Sequence, residues 1–138
     1  MVGRIGWLVP WFAVFFVAFM LWIFFAADRR ALPGFITLLY AFPFGDKVGH
    51  FVLMGLLALA VNLLVPKRHI RLGVWTLLLG SLLTALGITL EELSQILFSA
   101  RTFSPVDLAF SYLGIVVADL ALRRIFMVAE PQSGKFAA

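Results

Sequence analysis

The sequence predicts an all-α membrane protein of four transmembrane helices, at about 7–27, 48–65, 72–98 and 105–124, with an interfacial or re-entrant segment at about 31–45. Two observations predict it. Of 138 residues, 63% are hydrophobic and only 13% are charged, whereas a soluble domain carries about 25% charged residues to cover its surface. The charges also fall in short clusters between uncharged runs, and the main runs are close to or longer than the ~20 residues that cross hydrocarbon as a helix. The absence of cysteine excludes disulfides, thiolate nucleophiles and Cys-ligated zinc. A net charge of +4 spread over separate clusters fits topology and lipid-headgroup contact, not nucleic-acid binding.

Residues Trp7 to Ala27 form the first run, with Pro10 in its first turn and Asp28-Arg29-Arg30 as its stop. The run exceeds the ~7–15 residue core of a signal peptide, and Phe25-Ala26-Ala27 is a poor cleavage site, so it reads as a retained span. From Ala31 to Gly45 the chain is apolar again. Pro33-Gly34 and Pro43-Phe44-Gly45 bracket a piece too short to cross, which is expected to lie in the interface or re-enter. Asp46 opens the second run, Val48 to Val65, which Pro66 and the cluster Lys67, Arg68, His69 and Arg71 close.

Leu72 to Phe98 is the third and longest run. About 20 residues from its basic start would cross ~30 Å and end near Glu91, which sets Glu91 and Glu92 at the far headgroup level. Gly73, Gly80 and Gly87 recur every seven residues along this predicted helix. Such a stripe would let another helix, from this chain or from a second copy in a homo-oligomer, approach closely. The fourth run opens at Ser104-Pro105-Val106-Asp107 and ends in Arg123-Arg124. Its start is a helix N-terminus signature in which Ser caps, Pro takes the first turn and Asp answers the exposed amides. Residues 1–128 thus make one domain, and 129–138 a tail expected to be disordered.

Four spans put Arg4, Lys67, Arg68, Arg71, Arg123, Arg124 and Lys135 on one side, against Arg29, Arg30, Lys47 and Arg101 on the other. The positive-inside rule makes the first side, with both termini, cytoplasmic. Strict alternation then brings Asp46, Lys47, His50, Glu91, Glu92, Gln95, Arg101 and Asp107 to the opposite face. Two adjacent carboxylates cannot both ionise cheaply where water is scarce, so one of Glu91 and Glu92 becomes available as a general acid or base. The plainer reading pairs one with Arg101 and leaves the other to water. His50 offers a proton partner or an interfacial hydrogen bond. Arg101 either clamps a phosphate or carboxylate or snorkels to lipid phosphates. Asp46 and Asp107 serve equally well as caps, Lys47 as an interfacial anchor, and Gln95 sits one turn from Glu91.

A single histidine on this face excludes phosphohistidine chemistry that needs two, and Ser94, Ser99, Thr102 and Ser104 lack any nucleophile motif. No cofactor is expected; a divalent cation, were one bound, would be Mg, Mn or Ca sooner than zinc.

Asp46-Lys47-x-x-His50-Phe51 at the start of one span, Glu91-Glu92-x-x-Gln95 at the end of the next, Arg101-Thr102-x-Ser104-x-x-Asp107 and Gly114 together resemble the VanZ-like family of small membrane proteins. The resemblance covers roughly residues 46–114. Two places depart from it: Ser99-Ala100 where the family has Gly before its Arg, and Ser111 where it has Asn after its Asp. The resemblance implies a multi-span protein of the bacterial cytoplasmic membrane and cell envelope, linked to resistance to teicoplanin and related lipoglycopeptides.

The catalytic candidates are Glu92, His50, Glu91 and Asp107; the substrate-binding candidates are Arg101, Gln95, Asp46, Lys47 and Ser111. The expectation is an enzyme-like protein acting on membrane lipids or a lipid-linked envelope precursor at the outer headgroup level. The alternative is a non-catalytic headgroup binder. A proton-coupled transporter ranks third, because spans one, two and four carry no ionisable residue at mid-depth.

Overall fold

The computed structural model describes residues 8–29, 31, 33–97 and 103–129. In chain order they form α1 (Leu8–Asp28), α2 (Gly34–Tyr40), α3 (Gly45–Leu64), β1 (His69–Leu72), β2 (Trp75–Leu78), α4 (Leu79–Leu97) and α5 (Pro105–Ala129). Three stretches are long and apolar enough to cross a membrane: Leu8–Ala26, Gly45–Leu64 and Pro105–Ile125. Their outward sides present Trp11, Phe12, Phe15 and Trp22 on α1, Val48 and Val52 on α3, and Leu113 and Val117 on α5. Water would penalise so much contiguous apolar surface.

The mostly helical expectation holds, but the third run departs from it. Residues 72–78 are not helical. They belong to an antiparallel hairpin that pairs His69 with Leu78, Ile70 with Leu77, Arg71 with Thr76 and Leu72 with Trp75. The local chemistry explains this. Ile70, Val74, Trp75 and Thr76 are strand formers, and Gly73 takes φ +61° at the first position of a two-residue turn. A positive φ there followed by a negative one is the type II′ pattern that matches the twist of a hairpin. The all-α expectation therefore fails at one hairpin, and α4 keeps only 19 residues of the predicted span.

The glycine stripe dissolves with it. Gly73 sits in the turn, a Cβ on Gly80 would lie 2.5 Å from Asn62 Oδ1, and Gly87 has nothing within 4 Å of its Cβ position. No single helix face carries all three.

Smaller differences have local causes. The interfacial segment contains a two-turn helix, α2, which packs on α3. α3 starts at Gly45, earlier than Val48, so Asp46 and Lys47 lie in its first turn. Phe44 precedes it in the left-handed region at φ 61°, a costly place for a bulky side chain, forced by the reversal after Pro43. α5 runs past Arg123-Arg124 to Ala129, because Arg123 turns back one helical turn to Asp119 and so supports the helix it was expected to end. The expected tail beyond Ala129 lies outside the described residues.

α3 is the hub: it packs against each of the other four helices, most extensively against α5. The core joins Met20 and Ile23 of α1, Met54, Leu57 and Ala58 of α3, Ile88 of α4, and Ile115 and Ala118 of α5. α3 and α5 run parallel, with Lys47 beside Asp107 and His50 beside Ser111. One turn further in, Gly55 and Gly114 let the two backbones touch: a Cβ on Gly114 would collide with the Phe51 carbonyl. α4 runs the opposite way, from Ser81 beside Asn62 to Thr89 beside Tyr112.

Candidate functional site

The parallel pairing of α3 and α5 puts their N-terminal ends side by side, and antiparallel α4 brings its C-terminal end to the same level. This is the site end of the molecule. The opposite end carries the hairpin.

On α5, Ser104 Oγ accepts the Asp107 N–H at 3.3 Å, the expected cap, which fixes where Asp107 leaves the helix. Lys47 Nζ lies 2.6 Å from Asp46 Oδ2 and 3.5 Å from Asp107 Oδ1, so one ammonium joins the first turns of both helices. All three side chains are partly exposed. Lys47 is thus a clamp between helices, a structural role beyond that of an interfacial anchor.

One turn deeper, His50 Nδ1 lies 3.1 Å from Ser111 Oγ. The Ser111 hydroxyl donates to the Asp107 carbonyl at 2.9 Å. With that proton engaged, Ser111 Oγ is placed to accept from His50 Nδ1 when the ring carries a proton there. Ser111 is buried and engaged, so it positions His50 and is no nucleophile.

From α4, Gln95 Nε2 donates to Glu91 Oε1 at 2.9 Å, the i, i+4 contact expected from the spacing. Glu92 and Gln95 are enclosed, at 2% and 4% exposure. Thr89 opposite Tyr112 sets the register of α4 on α5, and three residues further on Glu92 reaches the level of Ser111 and Asp107. The headgroup depth counted along a continuous 72–98 helix no longer applies. Glu92 lies five residues before the last residue of α4, about 7 Å inside its end. The structure therefore brings together Asp46, Lys47, His50, Asp107 and Ser111 by direct contact, and Glu91, Glu92 and Gln95 by level. Arg101 lies outside the described residues.

A cleft of about 400 Å³ runs between α1, α3 and α4 and reaches this end of the molecule at Glu91. α1 and α4 flank α3, and the gap between them is floored by Leu57 and Val61 and walled by Met20, Phe24, Leu83 and Ile88. Among the described residues its lining is hydrocarbon apart from Thr84 and Glu91, and Glu91 is the one ionisable group there. A hydrocarbon tail fits such a slot, and its polar end would meet Glu91.

The hairpin end holds polar groups that sequence reasoning missed. Asn62 donates to the Ala58 carbonyl at 2.9 Å and to Ser81 Oγ at 2.8 Å. Asp119, fully buried, accepts the Leu78 N–H at 2.8 Å, and Arg123 Nε lies 2.8 Å from its other oxygen. That second contact is off-axis and acts as charge pairing more than as a directed hydrogen bond. The sequence reading places no ionisable residue at mid-depth of the fourth span; Asp119 is buried in the second half of that helix, beside the hairpin. The signal was present: an acid four residues before an arginine in an apolar helix calls for a search for its partners.

Among the described residues, no group of three or more His, Asp or Glu side chains is arranged to hold a metal ion. Comparison with protein-family models, characterised proteins and solved structures returned no match.

Proposed function

We propose that this chain is a four-crossing protein of the bacterial cytoplasmic membrane, α4 being the fourth crossing, that takes a lipid or lipid-linked envelope precursor into its α1–α3–α4 cleft. Glu92 and His50 Nε2 then act as acid and base on the headgroup. The observation that carries the proposal is that the hydrocarbon-lined cleft reaches Glu91, in the acid pair, while Ser111 holds the ring of His50 near the same level. A tail in the slot fixes the headgroup's position, which supplies the orientation part of catalysis. Gln95 holds Glu91 while Glu92, in a poorly hydrated place, carries the proton chemistry. Arg101, which follows α4 in the sequence, is the proposed clamp for an anionic headgroup.

The likeness to VanZ-like proteins in the order Asp46-Lys47-x-x-His50, Glu92-x-x-Gln95 and Ser104-x-x-Asp107 supports the envelope assignment and makes teicoplanin susceptibility the natural cellular readout. The seven basic residues that alternation puts on one side, Lys67, Arg68 and Arg71 among them, support placing the hairpin end, with both termini, in the cytoplasm.

The test is a lipid profile of membranes with and without the protein, beside Glu92→Gln, His50→Ala and the cleft-filling Gly87→Leu. A lipid species that appears with the native chain and disappears in all three variants at equal expression supports turnover. A second reading, headgroup binding without turnover, draws on the Lys47 clamp, which already ties up both aspartates and leaves fewer groups for chemistry. An unchanged profile combined with retained lipid, lost in Gly87→Leu, would select that reading. An unchanged profile with no retained lipid would sink both.

A further inference from the structure

The hairpin at the opposite end is amphipathic in a way that the linear sequence hides. Partners across an antiparallel ladder share a face and successive residues alternate. One face therefore carries His69, Arg71, Thr76 and Leu78, and the other carries Ile70, Leu72, Trp75 and Leu77. The first face docks at its base, where Leu78 is buried against the bundle. The second, turned away from that contact, is wholly apolar, with Trp75 68% and Leu72 47% exposed, and the turn residue Val74 is 95% exposed. Exposed Lys67 and Arg68 lead into the hairpin, and exposed His69 and Arg71 stand on its first face.

The hairpin is also held firmly. The Leu79 N–H donates to the Arg68 carbonyl at 2.8 Å and closes its base, and buried Asp119 grips the Leu78 N–H. A two-stranded hairpin is marginal in water on its own, so these two ties to the bundle set its position.

We propose that this hairpin is a built-in anchor in the headgroup layer of the membrane that the helices cross, and that its ligand is anionic phospholipid. Trp75, Leu72 and Val74 insert at the hydrocarbon boundary, where an amphipathic indole is favoured. Arg68 and Arg71 meet lipid phosphates, the anion that their guanidinium groups match bidentately. Charge complementarity selects this occupant: a second copy of the same chain would set basic hairpin against basic hairpin. The inference rests on the membrane reading of the helices but not on the chemistry of the site end.

The experiment uses the full chain with Trp7, Trp11 and Trp22 replaced by Phe, so that Trp75 is the sole indole, reconstituted in phosphatidylcholine vesicles with or without phosphatidylglycerol. Flotation with the vesicles and resistance to alkaline extraction establish insertion; failure here overturns the membrane reading and the anchor together. In inserted protein, Trp75 emission is expected to be blue-shifted, shielded from aqueous iodide, and quenched more by spin-labelled phosphatidylglycerol than by spin-labelled phosphatidylcholine. Arg68→Gln and Arg71→Gln each reduce that preference about fivefold, the ratio equivalent to ~1 kcal/mol for a basic residue near an anionic surface. Both positions are exposed, and unchanged far-ultraviolet circular dichroism excludes unfolding as the cause. Free iodide quenching of inserted protein, or equal quenching by the two lipids, overturns the anchor alone. Shielding that scales with protein-to-lipid ratio overturns it in favour of contact between copies.

Discussion

The two ends of the bundle place polar groups among apolar helices to opposite purposes. At the hairpin end the contacts lock elements together: Asn62 ties α3 to Ser81 of α4, and Asp119 of α5 accepts the Leu78 amide of β2 and pairs with Arg123 of its own helix. Each of these contacts runs between side chains or from a side chain to a backbone amide, and none of these residues lines the α1–α3–α4 cleft. At the site end the groups come from three helices, Lys47 and the two aspartates stay partly exposed, and Glu91 lines a cavity. Burial of a polar group thus does not by itself identify function. What separates the ends is whether the group faces a space that a ligand can enter.

Substitutions at the two ends should therefore separate chemistry from stability. The largest expected effect is on function: Glu92→Gln lowers headgroup turnover at least ~100-fold, the usual worth of a positioned acid or base, while resistance to denaturing detergent changes little. A large loss of stability with activity retained would erase the distinction. At the hairpin end Asp119→Ala should cost about 1.5–3 kcal/mol, the range for a hydrogen bond to a charged group, measured by unfolding in mixed micelles. Asp119→Asn, which keeps an oxygen for the Leu78 amide, should recover part of that loss, and turnover per folded molecule should be unaffected.

Gly114→Ala sits between the ends and tests whether one depends on the other. Its Cβ meets the Phe51 carbonyl, so α3 and α5 must separate, at about 1–3 kcal/mol for overpacking. The His50 to Ser111 contact lies one turn away, and turnover should fall with it. Unaltered activity would show that the site tolerates helix displacement. The smallest effect belongs to Ser81→Ala, about 1 kcal/mol, since Asn62 keeps its bond to the Ala58 carbonyl; any change in lipid profile there would contradict the assignment of that end to structure alone.

Periodicity and spacing made much of the site legible. The i, i+4 step from Glu91 to Gln95 and the Ser104 to Asp107 cap are short-range geometry, and both are present as read. Asp46, Lys47, His50 and Asp107 could be placed on one face because alternation of crossings needs only parity, and the hairpin does not alter that parity. Depth was not legible in the same way. It was counted along an uncharged run, and hydropathy does not distinguish an apolar strand from an apolar helix. Gly73-Val74 between alternating residues was the available warning, outweighed by the length of the run.

The sequence by itself determined the apolar helices, the Ser104 cap and the clustering of acid, base and cation near helix ends, because each follows from local residue chemistry; the cap offered by Asp46 is absent, since Phe44 holds the N-cap position of α3. Only the tertiary structure decided that Ser111 orients His50, that Asp119 holds the hairpin, and that the hairpin's outer face is apolar. Those facts depend on the parallel contact of α3 with α5 and on strand pairing, which join residues far apart in the chain. Two glycines that let backbones touch, Gly55 and Gly114, set that contact, and no short stretch of sequence states which glycine will face which.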